Sequence, residues 1–296
     1  ILEMSVEYPG EMDYYLWLAQ PKVGLITNIY PTHTQFFGDE YGVAKEKSKL
    51  IYALESRGIA LLNKENKHSQ SIAAKSEAKI IWFGKNASIY ADNIVQKGLS
   101  GTEFTLKIHK NKISVHLPTI GSQYVENALA AASVGYILGA SIAEIKKGLE
   151  NFEVPQHRMK VIKLASGATL IDDSYNNNPQ AAKETLKAFN HLSGGKKKVV
   201  VFGDMLELGE LEESEHREIG EILASMKVGH LIAVGGASKV VSDIVEKRLG
   251  TKHVDWFPTW KEAVIPLKRL LKKDVIVLIK GSRSIHLENL VGAISR

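Results

Sequence analysis

Short apolar runs rich in β-branched residues alternate along this chain with longer stretches whose apolar residues recur every three or four positions. KVGLITNI (22–29), GIALLN (58–63) and KIIWFG (79–84) are runs of strand length, too short for buried helices. Residues 39–57 carry Val43, Lys47, Leu50, Ile51 and Leu54 near one face of a helix. Residues 102–118 alternate with period two around Lys110-Asn111-Lys112, the pattern of an antiparallel hairpin. Two helices follow, over 125–138 and 142–152, the second with Ser141 as its N-cap. The N-terminal ILEMS is itself strand-like and lacks an initiator methionine, so the sequence reads as a piece of a longer protein.

Val154-Pro155-Gln156-His157 interrupts this pattern, and after it the alternation restarts. MKVIKLA, ATLIDD, KKVVVFG, HLIAVGG and DVIVLIKG read as strands separated by helices, with a short break at Trp256-Phe257-Pro258. Buried strands joined by helices of ten or more residues imply parallel crossover connections. The expected fold class is therefore α/β: residues 1–156 as a mainly parallel sheet plus an antiparallel hairpin, and residues 157–296 as a Rossmann-like α/β domain.

Composition narrows the chemistry. The 296 residues contain no cysteine, which excludes disulfides, thiolate metal sites and a cysteine nucleophile. A net charge of +5, from lysines scattered along the chain, reads as a solvated surface or as a weak pull on anionic substrates. No run is long and apolar enough to span a bilayer, and no signal peptide is expected. A cytoplasmic monomer, with no nucleic-acid partner and no membrane insertion, is expected.

Ligands of open α/β sheets collect at the carboxyl ends of the strands. The stretch IDDSYNNNP (171–179) ends a strand in two carboxylates, a tyrosine and three asparagines. These groups suit ribose hydroxyls and a base; equally, Asp and Asn can cap the following helix, with Pro179 in its first turn. Glu3, His33 and Arg158 also lie at run ends, where each is either structural or functional. Glu3 and His33 could share Mg²⁺ or Mn²⁺. There is no G-x-x-x-x-G-K-[ST] phosphate loop, G-x-G-x-x-G fingerprint, G-x-S-x-G elbow or H-E-x-x-H pair.

Taken in order, LEMSVEYPGEM, LITNIYPTH, GVAKEKSKLI, ENALAAASVGYILGAS, VPQHR, LIDDSYNNNPQAA, VVVFGDMLELGELEESEHREIG and VLIKGSRS resemble the Mur ligases over nearly the whole chain. DDSYN-x-N, GDM-x-ELG and KGSRS point to the branch that joins D-Ala-D-Ala to UDP-N-acetylmuramoyl-tripeptide. The resemblance implies a partial central ATPase domain (1–156, its phosphate loop lying upstream) followed by the C-terminal domain (157–296). It implies an ATP-dependent peptide-bond ligase of peptidoglycan precursor synthesis, working through an acyl phosphate. Another Mur or folylpolyglutamate-type amide ligase, or a non-catalytic nucleotide-binding homologue, are the alternatives.

Position by position, the resemblance makes Glu3, His33 and Lys47 the catalytic metal set for Mg²⁺, with Lys47 carbamylated. Asn127 is matched to adenine, Arg158 to the γ-phosphate, Asp173 to ribose, and Tyr175 and Asn178 to the surroundings of the base. Lys280, Ser282 and Arg283, after the last strand, could bind the carboxylate of the incoming dipeptide, Arg283 best through its bidentate fork. The family's H-N-x-x-N reads Gln123-Tyr124-Val125-Glu126-Asn127 here.

Overall fold

The computed structural model describes residues 1–192 and 194–295. The chain forms two compact units, Ile1–Phe152 and Glu153–Arg296. The first unit holds a sheet in the order β1-β2-β3-β4-β5-β6, formed by β1 (Val23–Ile26), β2 (Ile59–Asn63), β3 (Lys79–Phe83), β4 (Ile89–Gln96), β5 (Thr102–Ile108) and β6 (Asn111–Leu117). Strands β1 to β4 pair in parallel, and β4-β5-β6 pair antiparallel. The parallel strand β2 is apolar almost throughout, whereas β5 alternates buried and half-buried positions, as a strand with one covered face does.

The helices of this unit are α1 (Glu11–Leu18), α2 (Thr34–Phe37), α3 (Glu40–Tyr52), α4 (Ser69–Ala73), α5 (Gln123–Ile137) and α6 (Ile142–Glu150). Asp39 caps α3 by accepting from the Gly42 N–H at 2.9 Å. Ser141 and Glu144 close a reciprocal capping box on α6, the start expected there. Val43 and Ile51 of α3 pack with Ile26, Ala60 and Leu62 under one face of the sheet. Val125, Leu129 and Ala132 of α5 pack with Phe83, Phe104 and Leu106.

The hairpin forms where the alternation placed it, but its turn is His109-Lys110, since Ile108 pairs with Asn111. His109 takes the left-handed conformation (φ 51) that a two-residue turn requires. Residues 1–6 form no strand, contrary to their apolar look, and Ile1, Leu2 and Glu3 are exposed.

The second unit holds a sheet in the order β11-β10-β9-β12-β8-β7. Its strands are β7 (Lys160–Lys163), β8 (Thr169–Asp173), β9 (Lys197–Gly203), β10 (His230–Val234), β11 (Val254–Phe257) and β12 (Val275–Lys280). Only β7 runs antiparallel. Helices α7 (Pro179–Leu192), α8 (Glu212–Ser225), α9 (Ser238–Leu249), α10 (Trp260–Leu270) and α11 (Leu287–Ile294) connect or follow the strands. Every residue of β8 and β12 is buried, the condition of central parallel strands, so polar groups at their ends must be satisfied within the protein or by a ligand. Trp256 and Phe257 of the stretch read as a break belong to the edge strand β11, which ends just before Pro258; the two aromatics pair along β10.

Candidate functional site

The sheet register sets Lys280, the last residue of β12, directly beside Asp173, the last residue of β8. The Lys280 ammonium donates to Asp173 Oδ2 at 2.8 Å and to the Asn176 carbonyl at 3.1 Å, with its side chain 2% exposed. Asp173 Oδ2 also accepts from the Thr185 hydroxyl at 3.0 Å, and Oδ1 from the Met159 N–H at 3.1 Å. A carboxylate offers about four acceptor positions, so three partners leave Asp173 one. Asp172 turns the other way, taking Ser174 N–H and Oγ on Oδ1 (3.2 and 2.7 Å) and His157 Nδ1 on Oδ2 at 2.8 Å.

The loop beyond is equally well tied. Asn178 Oδ1 accepts from the Ala181 N–H at 2.9 Å and so caps α7, with Pro179 opening that helix: the capping alternative holds for this residue. The Asn177 amide donates to the Gly203 carbonyl at 3.0 Å while its Oδ1 stays buried without a partner. Ser282 Oγ donates to the Asn177 carbonyl at 3.3 Å and accepts from the Leu206 N–H at 3.1 Å. Lys280 and Ser282 are thus buried and tied to the strand end and its loop. Arg283 is exposed, 3.6 Å from Glu288. Tyr175 is half exposed, with the Arg158 guanidinium 4.2 Å and that of Arg283 5.9 Å from its ring centroid.

Behind this edge, the GDM-x-ELG stretch braces the sheet. Asp204 Oδ1 accepts from the Ser238 N–H at the start of α9 at 2.6 Å. His216 is fully buried; its Nδ1 lies 2.7 Å from the Glu212 carbonyl and its Nε2 accepts from the Met205 N–H at 3.0 Å. That pairing fixes a neutral ring with the proton on Nδ1. Sequence reading quoted the motif without singling out Asp204, His216 or Asn177. A buried strand followed by Gly-Asp was the available signal.

In the first unit, Lys47 sits half-buried on α3 with no hydrogen bond or ion pair among the described residues. Burial lowers its pKa from the ordinary lysine value. Its neighbour Glu46 offers it no charge, because the buried Glu46 carboxylate accepts from the Gly10 and Met12 N–H groups at 3.0 Å each and pairs with Lys49 at 2.9 Å.

His33 is half-buried in the left-handed conformation (φ 55) at the start of α2. The carboxylate that feels His33 is Glu11. Its pKa is lowered by the N–H groups of Glu7 and Tyr8 and, to a lesser degree, by this histidine. Glu3 is exposed and lies outside any helix or strand. Asn127 is exposed on the first turns of α5, beside Glu126, which accepts from Asn28 at 2.9 Å; Asn28 in turn accepts from Asn63 at 3.0 Å. Gln123 folds back over Gly121, where any Cβ would strike its amide.

Among the described residues no group of three or more histidines and carboxylates could hold a metal ion. A set of Glu3, His33 and Lys47 fits a divalent cation only if Lys47 gains oxygen donors, since an ammonium has no lone pair to give. No helix among them is long and apolar enough to cross a membrane.

The family description "Mur ligase middle domain" matches residues 1–135, and "Mur ligase, glutamate ligase domain" matches residues 157–283. The chain belongs to the Mur ligase family. Among curated Mur ligases it is similar to the UDP-N-acetylmuramoyl-tripeptide–D-alanyl-D-alanine ligases of Bacillus subtilis (31% identical over 98% of this chain and 63% of that protein) and Escherichia coli (31% over 99% and 64%). It therefore spans a little under two thirds of their length. A crystal structure of MurF from Acinetobacter baumannii superposes with a TM-score of 0.86 at 29% identity, covering 98% of this chain and 63% of that one. MurF from Thermotoga maritima, solved with ADP, shares the fold at 22% identity and a TM-score of 0.84.

Proposed function

We propose that this chain is the greater part of a cytoplasmic, monomeric ligase that uses ATP to join D-Ala-D-Ala to UDP-N-acetylmuramoyl-tripeptide. Its first unit, 1–156 by the sequence reading, is a middle domain lacking its phosphate loop, and residues 157–296 are the C-terminal domain. Similarity to ligases so named over nearly the whole chain supports the reading. The observation that carries it in the geometry is Lys47, a half-buried lysine on α3 without a counter-ion among the described residues. A lysine of lowered pKa has more neutral amine at a given pH. That amine attacks the carbon of CO₂ and releases one proton, leaving a carbamate with two donor oxygens. With Glu3 and His33 the carbamate would hold Mg²⁺, which supplies charge neutralisation at the phosphates when bound.

The tripeptide carboxylate attacks the γ-phosphorus of ATP, the bond to ADP breaks, and an acyl phosphate forms. The amine of D-Ala-D-Ala then adds to the acyl carbon. The tetrahedral intermediate expels inorganic phosphate, and the amine loses a proton. Asn127 is assigned to adenine, and Arg158 to the transferring phosphoryl group. The free acceptor position of Asp173 is assigned to a ribose hydroxyl, with Tyr175 and Asn178 beside the base. Arg283, the exposed cation of its trio, is assigned to the dipeptide carboxylate, where its fork binds bidentately.

The test is phosphate release by a protein extended upstream to include the phosphate loop. Release requiring both UDP-N-acetylmuramoyl-tripeptide and D-Ala-D-Ala supports the proposal. Release driven by glutamate and a folate, or by a different amino acid, overturns it.

A further inference from the structure

We infer that the strand end Asp172–Tyr175 is a clamp that sets the position of Arg158, which makes Asp172, His157 and Tyr175 positioning residues. Arg158 lies between two non-glycine residues in the left-handed region, His157 (φ 63) and Met159 (φ 55). Such backbone persists only where surrounding contacts over-determine it. Besides the Arg158 N–H, which donates to the Pro155 carbonyl at 3.4 Å, the holding contacts come from Asp172 and Asp173 at the end of β8 and from Tyr175 just past it. Asp172 Oδ2 holds the His157 ring at 2.8 Å, and the Tyr175 N–H donates to the His157 carbonyl at 3.0 Å. Asp173 Oδ1 takes the Met159 N–H at 3.1 Å, and Met159 itself is buried. The Tyr175 ring then carries the Arg158 guanidinium at 4.2 Å.

The two carboxylates are themselves anchored, Asp172 by Ser174 and Asp173 by Lys280 and Thr185. The rigidity of the buried sheet is thereby passed to one exposed arginine. Arg158 makes no ion pair among the described residues, so its charge is oriented and not neutralised. A guanidinium fixed in advance loses less freedom when it meets an anion and needs no reorganisation as charge develops. Both halves of the clamp are sequence motifs, VPQHR and DDSYN, that otherwise read as separate.

The inference rests on the assignment of Arg158 to the transferring phosphoryl group, and its test separates the two. In the upstream-extended enzyme, Tyr175→Leu removes the stacking face and Tyr175→Phe keeps it. Expected is a kcat about tenfold lower for Tyr175→Leu, over and above any rise in KM for ATP from the ring's place beside the base, and recovery of most of the rate in Tyr175→Phe. A rise in KM for ATP with kcat retained would make the ring a base platform and overturn the clamp, as would equal losses in both variants. If the unmutated enzyme ligates nothing, the reaction assignment fails, and the clamp is decided in the 296-residue chain by the Nε–H resonance of Arg158. The clamp requires a ring-shifted, slowly exchanging signal in the unmutated chain and in Tyr175→Phe that moves to the position of solvated arginines in Tyr175→Leu. An unmoved signal refutes it.

Discussion

Lys280→Met tests the reading of the strand end as a buried ion pair. The side chains of Lys280 and Asp173 are 2% and 11% exposed, and their charged atoms lie 2.8 Å apart. Methionine fills the lysine stem's space but leaves the Asp173 carboxylate buried without a counter-charge. Breaking one side of such a pair costs about 3–5 kcal/mol. Asp173 keeps two donors, Met159 N–H and Thr185 Oγ, so the lower end of that range, about 3 kcal/mol, is expected. At roughly 3 °C per kcal/mol for a unit of this size, its melting temperature falls by about 9 °C. Hydrogen exchange at the β8 and β12 amides isolates the second unit from the first. Combining Asp173→Asn with Lys280→Met removes both charges, and the double variant should lose less than the sum of the single losses by about 1.5 kcal/mol or more. A Lys280→Met cost below about 1 kcal/mol, or strict additivity, would refute the pair and return Lys280 to the substrate.

Further outcomes concern the first unit and the chain as a whole. Lys47→Ala should abolish ligation in the extended enzyme with the fold intact, and a short carboxylic acid should restore part of the rate; a wild-type kcat would show that Lys47 is a surface lysine. Because burial depresses the Lys47 pKa, the folded state binds fewer protons than the unfolded chain between its folded pKa and the ordinary lysine value. Stability should therefore rise with pH across that window unless a carbamate has formed, and the activity of CO₂-depleted enzyme should recover at lower bicarbonate as pH rises. Glu46→Ala strips the acceptor from the Gly10 and Met12 N–H groups and should cost about 2 kcal/mol in denaturant unfolding, with Met12 becoming fast-exchanging. The 296-residue chain alone should turn over no ATP at an enzymatic rate, since it lacks the N–H cradle and lysine of a phosphate loop; metal-dependent turnover would contradict this.

The buried parallel strands were legible because nothing else explains runs such as VVVFG and VIVLIK, and the capped start of α6 followed from Ser141. Strand β11 was not legible: two aromatics before Pro258 look like a loop until β10 supplies their ladder. Nor was β4, whose second half is exposed and carries Asp92 and Asn93. Lys47 entered through resemblance, and its shielding is a tertiary fact. The roles of Lys280 and Asp173 were the hardest to read. They lie 107 residues apart, and only the order β12-β8 makes them neighbours. Taken singly, a lysine after an apolar strand looks like a ligand for an anion; only the sheet order sets it against an aspartate.

Acyl phosphorylation is tested most directly by following one oxygen atom. The extended enzyme is given UDP-N-acetylmuramoyl-tripeptide labelled with ¹⁸O in its terminal carboxylate, with ATP and D-Ala-D-Ala, and the products are analysed by mass spectrometry. The account predicts one labelled oxygen in the inorganic phosphate, because the carboxylate oxygen that attacks the γ-phosphorus leaves with it when the amine adds. Label appearing in AMP, or phosphate released without label while the peptide product forms, would contradict it.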